Sequence, residues 1–174
     1  MPELVEPTTR LRTAWMAAHE DWGPGVHEDG FGLHPDDDVE TQDGFTAWVQ
    51  RLRQDSDTTG PTAGERDQAS YWWIVEGEAV LGAIALGHQL NDRALRVGQI
   101  GYGIRPSARG RGLAKWALGE VLSAARTLGL DRVLITCLDD NVPSARVIEH
   151  HGGLLENVTN TGSGRLRRYW VALG

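Results

Sequence analysis

Residues 104–114 read Ile104-Arg105-Pro106-Ser107-Ala108-Arg109-Gly110-Arg111-Gly112-Leu113-Ala114, the residue types of an anion cradle. Small residues let backbone approach a ligand, and free N–H groups at a helix start point at phosphate oxygens. Arg109 and Arg111 add cationic donors. A phosphate-bearing ligand is the expected occupant. Other reactive residue types lack a reactive context. The six histidines show no metal-ligand spacing, and the adjacent His150 and His151 are wrongly placed for two ligands on one helix face. No metal site is expected. Cys137, in an apolar run, reads as a buried thiol rather than a nucleophile, and nothing around it forms a Ser–His–Asp arrangement.

The chain bounds what such a cradle serves. Its 174 residues suit one domain with a sizeable core. A net charge of −7 argues against nucleic acid as the main partner and tolerates a cationic substrate. No apolar run reaches membrane-spanning length, and Met1-Pro2-Glu3-Leu4 does not open a signal peptide. With a single cysteine, no internal disulfide forms, and a cytoplasmic location is expected. Acidic residues concentrate early, at Glu20, Asp21, Glu28, Asp29, Asp36, Asp37, Asp38, Glu40 and Asp43. They read as a solvated loop or, more sharply, as an electrostatic collar for an amine.

The elements that must position the cradle follow from periodicity. Leu4-Val5 reads as a short strand. Thr8 or Thr9 caps a helix to about Glu20, and a second helix spans about Thr41 to Gln54. Residues 21–40 and 55–69 read as loops. Tyr71–Val75 and Ala79–Gly87 form a hairpin around Glu76-Gly77-Glu78. Residues 89–96 read as a polar connection and Val97–Ile104 as a strand. In that strand Ile100, Tyr102 and Ile104 share one face, while Gly101 and Gly103 leave room for a backbone or a ligand on the other. The helix opened by the basic turn runs to about Leu128, with Ala114, Leu118, Val121, Ala125 and Leu128 on one stripe. Arg132–Cys137 is a buried strand, Asn141 to about His151 a short helix, and Leu154–Val158 and Arg167–Val171 two closing strands. Among the seven tryptophans, Trp22 beside the acidic loop is the one expected nearest a substrate.

Arg109, Gly112 and Ala114, placed between a strand and a long helix, resemble the phosphate-loop signature of the GNAT superfamily of acyl-CoA-dependent N-acetyltransferases. Val133–Cys137 leading to Asn141, with Ser144 three residues on and Gly152-Gly153 closing the helix, resembles the family's second half. Tyr71-Trp72, His88-Gln89-Leu90-Asn91 and Ile100-Gly101-Tyr102 resemble a bacterial branch of predicted acetyltransferases. The resemblance implies a single α/β domain over residues 1–174 with a mixed, mostly antiparallel sheet flanked by helices. Residues 1–70 would supply variable acceptor-side helices and loops, and 71–174 the cofactor core.

It also implies acetyl-CoA as co-substrate. The pyrophosphate would rest on Arg109, Gly110, Arg111, Gly112, Leu113 and Ala114. The pantetheine would run like an added strand beside Tyr102, Gly103 and Ile104, with an N–H near Ile104 facing the thioester carbonyl. Asn141 and Ser144 would flank the pantetheine or departing thiol, and Arg146 would reach the adenosine end. The expected reaction is direct attack by a primary amine of a small molecule or protein; the alternative is a non-catalytic acyl-CoA-binding module.

Two features depart from the family. The tyrosine that many members carry seven residues after the Asn is replaced by Ile148, and the glutamate that others carry before the loop is replaced by Gly98 and Gln99. His88 and Tyr102 are the candidate catalytic residues, followed by His150 and His151; the competing readings are a structural role for His88, simple packing for Tyr102, and a water chain with no single essential base. The closing strands are candidates for pairing across a homodimer.

Overall fold

Alternating apolar residues over 69–87 build the central strands and give each of their faces its own core. In the computed structural model, which describes residues 1–23, 28–59, 68–162 and 164–174, strands β2 (Ala69–Glu76) and β3 (Ala79–Gly87) form a hairpin. Tyr71, Trp73, Val75, Val80 and Ala83 look to one side, and Ile74, Leu81, Ile84 and Leu86 to the other. β1 (Glu3–Val5) and β4 (Ile100–Ile104) complete a four-stranded antiparallel sheet in the order β1-β2-β3-β4. A second antiparallel sheet, in the order β5-β7-β6, contains β5 (Arg132–Leu138), β6 (Leu154–Thr161) and β7 (Gly164–Ala172). The expected α/β architecture, a mostly antiparallel sheet flanked by helices, is what forms.

Helices fill both sides. On one, α1 (Arg12–Trp22) and α2 (Gln42–Ser56) pack an aromatic cluster against the hairpin: Trp15, Phe31, Phe45, Trp48 and Trp73, with ring centroids about 5–6 Å apart. On the other, α4 (Leu113–Thr127) buries Leu113, Ala117, Leu118, Val121, Leu122 and Ala125 between the two sheets. The buried stripe stops one position before its expected end: Leu128 is exposed, because the helix ends at Thr127 and Gly129 turns the chain. α5 (Val142–His150) lies against α4, where the His151 ring nitrogen Nε2 meets the Lys115 carbonyl at 2.7 Å.

Several expected boundaries move. Residues 89–96 are not simply a connection: α3 (Asp92–Val97) forms there, capped by the Asn91 side chain on the Ala94 N–H at 2.9 Å. The strand expected from Val97 accordingly starts at Ile100. Thr8 does cap the first helical segment, a single 3-10 turn at Thr9–Leu11 that leads into α1. Thr41 caps α2 through the Gly44 N–H. Parts of the two expected loops, 24–27 and 60–67, lie outside the described residues.

Among the described residues, hydrogen bonds join the two sheets at Gln99. Gln99 N–H donates to the Leu134 carbonyl at 2.7 Å, and Gln99 Oε1 accepts from the Leu134 N–H at 3.1 Å. Past this staple, β4 and β5 belong to separate sheets: among the described residues no ladder joins them, and this break is the gap between the two strands.

Candidate functional site

The free edge of β4 forms one wall of this gap. Arg105 N–H donates to the Leu81 carbonyl at 2.8 Å, so Arg105 and, by strand alternation, Gly103 and Gly101 turn their backbone groups toward β3. Ile100, Tyr102 and Ile104 therefore turn theirs toward the gap. The Ile104 carbonyl is already taken by Arg109 Nε at 2.9 Å; the N–H groups of Tyr102 and Ile104 remain on the edge. An extended chain carrying amides fits there as an added strand.

The cradle stands at the C-terminal end of that edge. Gly110 and Gly112 have φ of +77° and +78°, a conformation that L side chains rarely adopt. A Cβ on either would meet nothing within 4 Å, so these glycines serve the turn and leave open space above it. Gly112 precedes α4, and the first helical bond is Trp116 N–H to Gly112 O at 3.0 Å. The N–H groups of Leu113, Ala114 and Lys115 are thus first-turn orphans, suited to an anion. Arg109 is exposed beside them. Arg111 is held by Glu76 at 2.8 and 3.0 Å, so its guanidinium points at the β2–β3 turn. A pyrophosphate fits this loop through backbone donors, with arginines at its margin.

Across the gap, the Asn141 side chain accepts from the Ser144 N–H at 3.3 Å and caps α5. Ser144 Oγ lies 2.8 Å from the Tyr102 hydroxyl, so β4 and α5 touch through these two side chains. Burial pushes the Tyr102 phenol up to about 12, a shift that the Ser144 hydrogen bond opposes. Cys137 of β5 adjoins the pair; burial pushes its thiol up, which agrees with an unreactive sulfur. Arg146 is exposed on α5, and Ile148 is fully buried in the core. The Tyr102–Ser144 contact therefore joins β4 to α5, with Asn141 capping α5 and residues 109–114 following β4 in the chain.

His88 lies elsewhere. It follows β3 beyond the Leu86–Ile100 pairing, at the opposite end of β4 from the cradle. Its Nε2 meets Ser70 Oγ at 2.7 Å, and burial lowers its pKa. His150 and His151 sit at the α4–α5 contact. Trp22, expected near a substrate, is buried edge-on against Phe31 at 5.5 Å; the 3.6-residue period puts it on the same core stripe as Trp15 and Ala18. Gln99 does not act at the gap. A glutamate there would lack the amide that donates to the Gly87 carbonyl at 3.4 Å, so the residue is kept as a sheet staple.

Gly101 and Gly103 leave room for backbone. Asp29 and Gly30 lie across them: a Cβ on Gly103 would stand 2.7 Å from the Asp29 carbonyl, and one on Gly30 2.5 Å from that of Ala83. This strap, residues 28–32, covers the α1 side of β4. Glu28 is buried in it, with both carboxylate oxygens on His19 Nδ1 at 2.8 and 2.9 Å. His19 did not stand out in the sequence, since its partner is nine residues away across a loop. The remaining early acids divide among separate tasks. Asp21 binds Arg105 and Ser107, which hold its carboxyl down at about 2; Asp37 binds Arg51; Asp38 supports the α2 cap. Among the described residues, no group of three His, Cys, Asp or Glu side chains is placed to hold a metal ion, and no helix is long and apolar enough to cross a membrane.

Comparison with known proteins bears on the same gap. Residues 6–153 match the family described as the acetyltransferase (GNAT) domain. No curated protein matches in sequence. Among solved structures, RimJ of Mycobacterium smegmatis, bound to CoA-disulfide, is 20% identical with a TM-score of 0.74, covering 98% of this chain and 81% of that one. The microcin C7 self-immunity acetyltransferase MccE, bound to acetyl-CoA and AMP, is 16% identical with a TM-score of 0.70, covering 98% and 92%. A Salmonella typhimurium acetyl transferase described as modifying the N-terminal serine of ribosomal protein L7/L12 is 16% identical with a TM-score of 0.68, covering 98% and 94%. At these identities the structures speak for the fold, while the family match spans most of the sequence: the chain belongs to the GNAT acetyltransferase family.

Proposed function

We propose that this protein transfers the acetyl group of acetyl-CoA to a primary amine of a small molecule or a protein, by direct attack within the β4–β5 gap. The observation that carries this is the continuity of two features: an unpaired strand edge at Tyr102 and Ile104, and a glycine loop opening onto the α4 first turn. Together they suit an amide-bearing arm that ends in a pyrophosphate. Three of the structurally similar proteins were solved with acetyl-CoA or a CoA derivative, which supports the same co-substrate here.

Acetyl-CoA supplies the activated acyl group as a thioester. In this reading the Tyr102 or Ile104 N–H faces the thioester carbonyl and stabilises the charge that develops on its oxygen. The amine nitrogen bonds to the carbonyl carbon, the C–S bond breaks, and the sulfur leaves as thiolate. Tyr102, a phenol protonated at neutral pH and pushed further up by burial, turns its O–H from Ser144 toward that sulfur. It acts as a hydrogen-bond donor. Full proton transfer from a phenol near 12 to a thiolate is uphill, since a thiol is the stronger acid (about 8.5 for a cysteine), so the sulfur takes its proton from solvent.

The test is release of free CoA thiol from acetyl-CoA across a panel of small amines and short peptides with free N-termini. Turnover on at least one amine is expected. Tight acetyl-CoA binding without turnover on any of them points instead to an acyl-CoA-binding module.

A further inference from the structure

A buried carboxylate needs a reason, and Glu28 is 8% exposed. Its partner is His19, on the last turns of α1, whose side chain is 31% exposed. Both carboxylate oxygens face Nδ1, which fixes the ring and leaves Nε2 on the side away from the carboxylate. The Trp15 ring stacks on the imidazole at 4.9 Å and limits its tilt. The chain neighbours of both partners pack on β4 and on the turn that follows it. The residue after Glu28 is Asp29, whose backbone rests on Gly103, between the two edge residues Tyr102 and Ile104. Two residues after His19 is Asp21, clamped to Arg105 at 2.7 Å and to the Ser107 N–H and hydroxyl, at the start of the cradle.

We propose that His19, oriented by Glu28, is the general base that takes the proton from the acceptor amine. This rests on the acetyl-transfer reading above and names the group that it leaves open. The ammonium form of the acceptor gives a proton to His19 Nε2, directly or through one water; the freed lone pair attacks the thioester carbon; the C–S bond breaks and thiolate leaves; the imidazolium returns its proton to solvent, and the second proton that the nitrogen loses in becoming an amide also passes to solvent. Glu28 is a positioning residue, since it acts through the ring. Glu28 is the charged group on His19; next to the pair along the chain stand Glu20 and Asp21 on α1 and Asp29 on the strap, and Asp21 engages the Arg105 guanidinium after β4.

The experiment compares kcat/KM from about pH 6 to about pH 10 for the wild type, His19→Gln and Glu28→Gln, with a short peptide bearing a free N-terminal serine as acceptor. Acetyl-CoA affinity and the thermal midpoint are measured on the same proteins. His19→Gln is expected to lower kcat/KM about 10²–10⁴-fold near neutrality, with the deficit shrinking as the pH rises and the amine loses its own proton. Acetyl-CoA affinity should be unchanged. Glu28→Gln should give a smaller loss of the same pH-dependent form. Wild-type kcat/KM in His19→Gln overturns the proposal, and so does a loss equal at every pH that tracks a fall in thermal midpoint. A wild type that fails to bind acetyl-CoA overturns the transfer reading and this one together.

Discussion

The glycines on the two sides of β4 serve opposite ends. At the cradle, Gly110 and Gly112 face open space; a side chain is excluded by φ and by the need to keep that space free. On the α1 side, Gly103 and Gly30 lie so close to other backbone that a Cβ has nowhere to go. The same residue type holds one surface open and lets the other close. What separates the two is the partner. The cradle ends in first-turn N–H groups that the fold leaves unused, whereas the strap ends in an aromatic cluster that holds it down.

The largest expected effect breaks the closed side. Gly30→Val combines a φ of +86° with a Cβ 2.5 Å from the Ala83 carbonyl, and should destabilise the protein by about 2–5 kcal/mol in denaturant titration. The open side should respond in the reverse sense. Gly112→Trp should cost only about 1–2 kcal/mol of stability, from its φ, yet weaken acetyl-CoA binding at least about 100-fold by calorimetry. Similar losses of stability in both variants, with affinity intact in Gly112→Trp, would erase the distinction.

The staple between the sheets gives the next effect. Gln99→Glu loses the donor to the Gly87 carbonyl and buries a carboxylate, which should cost about 1–3 kcal/mol and show as a lower thermal midpoint that recovers in acid. Smallest is Tyr102→Phe, which keeps the ring and deletes the bond to Ser144. It should lower kcat about tenfold, a change of about 1.4 kcal/mol, with acetyl-CoA affinity kept. A phenol pushed up in the fold favours the folded state below its ordinary value near 10, and that stabilisation is lost as the pH rises through about 12. The wild type should therefore lose more stability than Tyr102→Phe in alkali across that window.

The contrast also explains what was legible in the sequence. The cradle is local: a proline that ends a strand, two glycines, and an apolar stripe of helical period lie within a few residues of one another. The order and type of the main elements followed for the same reason, with α3 missed although Asn91, Asp92 and Gly98 carry its caps. The acceptor side depends on contacts distant in sequence. Trp22 reads as a substrate neighbour from the acidic loop beside it, because Phe31, which covers it, belongs to another segment. Gln99 resembled a lost base, since its partners at positions 87 and 134 cannot be read from its neighbours. The His19–Glu28 pair was invisible for the same reason.

The central claim is that the free edge of β4 pairs with the pantetheine arm of acetyl-CoA. Amide hydrogen exchange with and without acetyl-CoA tests it residue by residue. The N–H groups of Tyr102 and Ile104 should gain protection on binding, while those of Gly101 and Gly103, already turned toward β3, should change little. Unchanged exchange at Tyr102 and Ile104 in the acetyl-CoA complex would contradict the account.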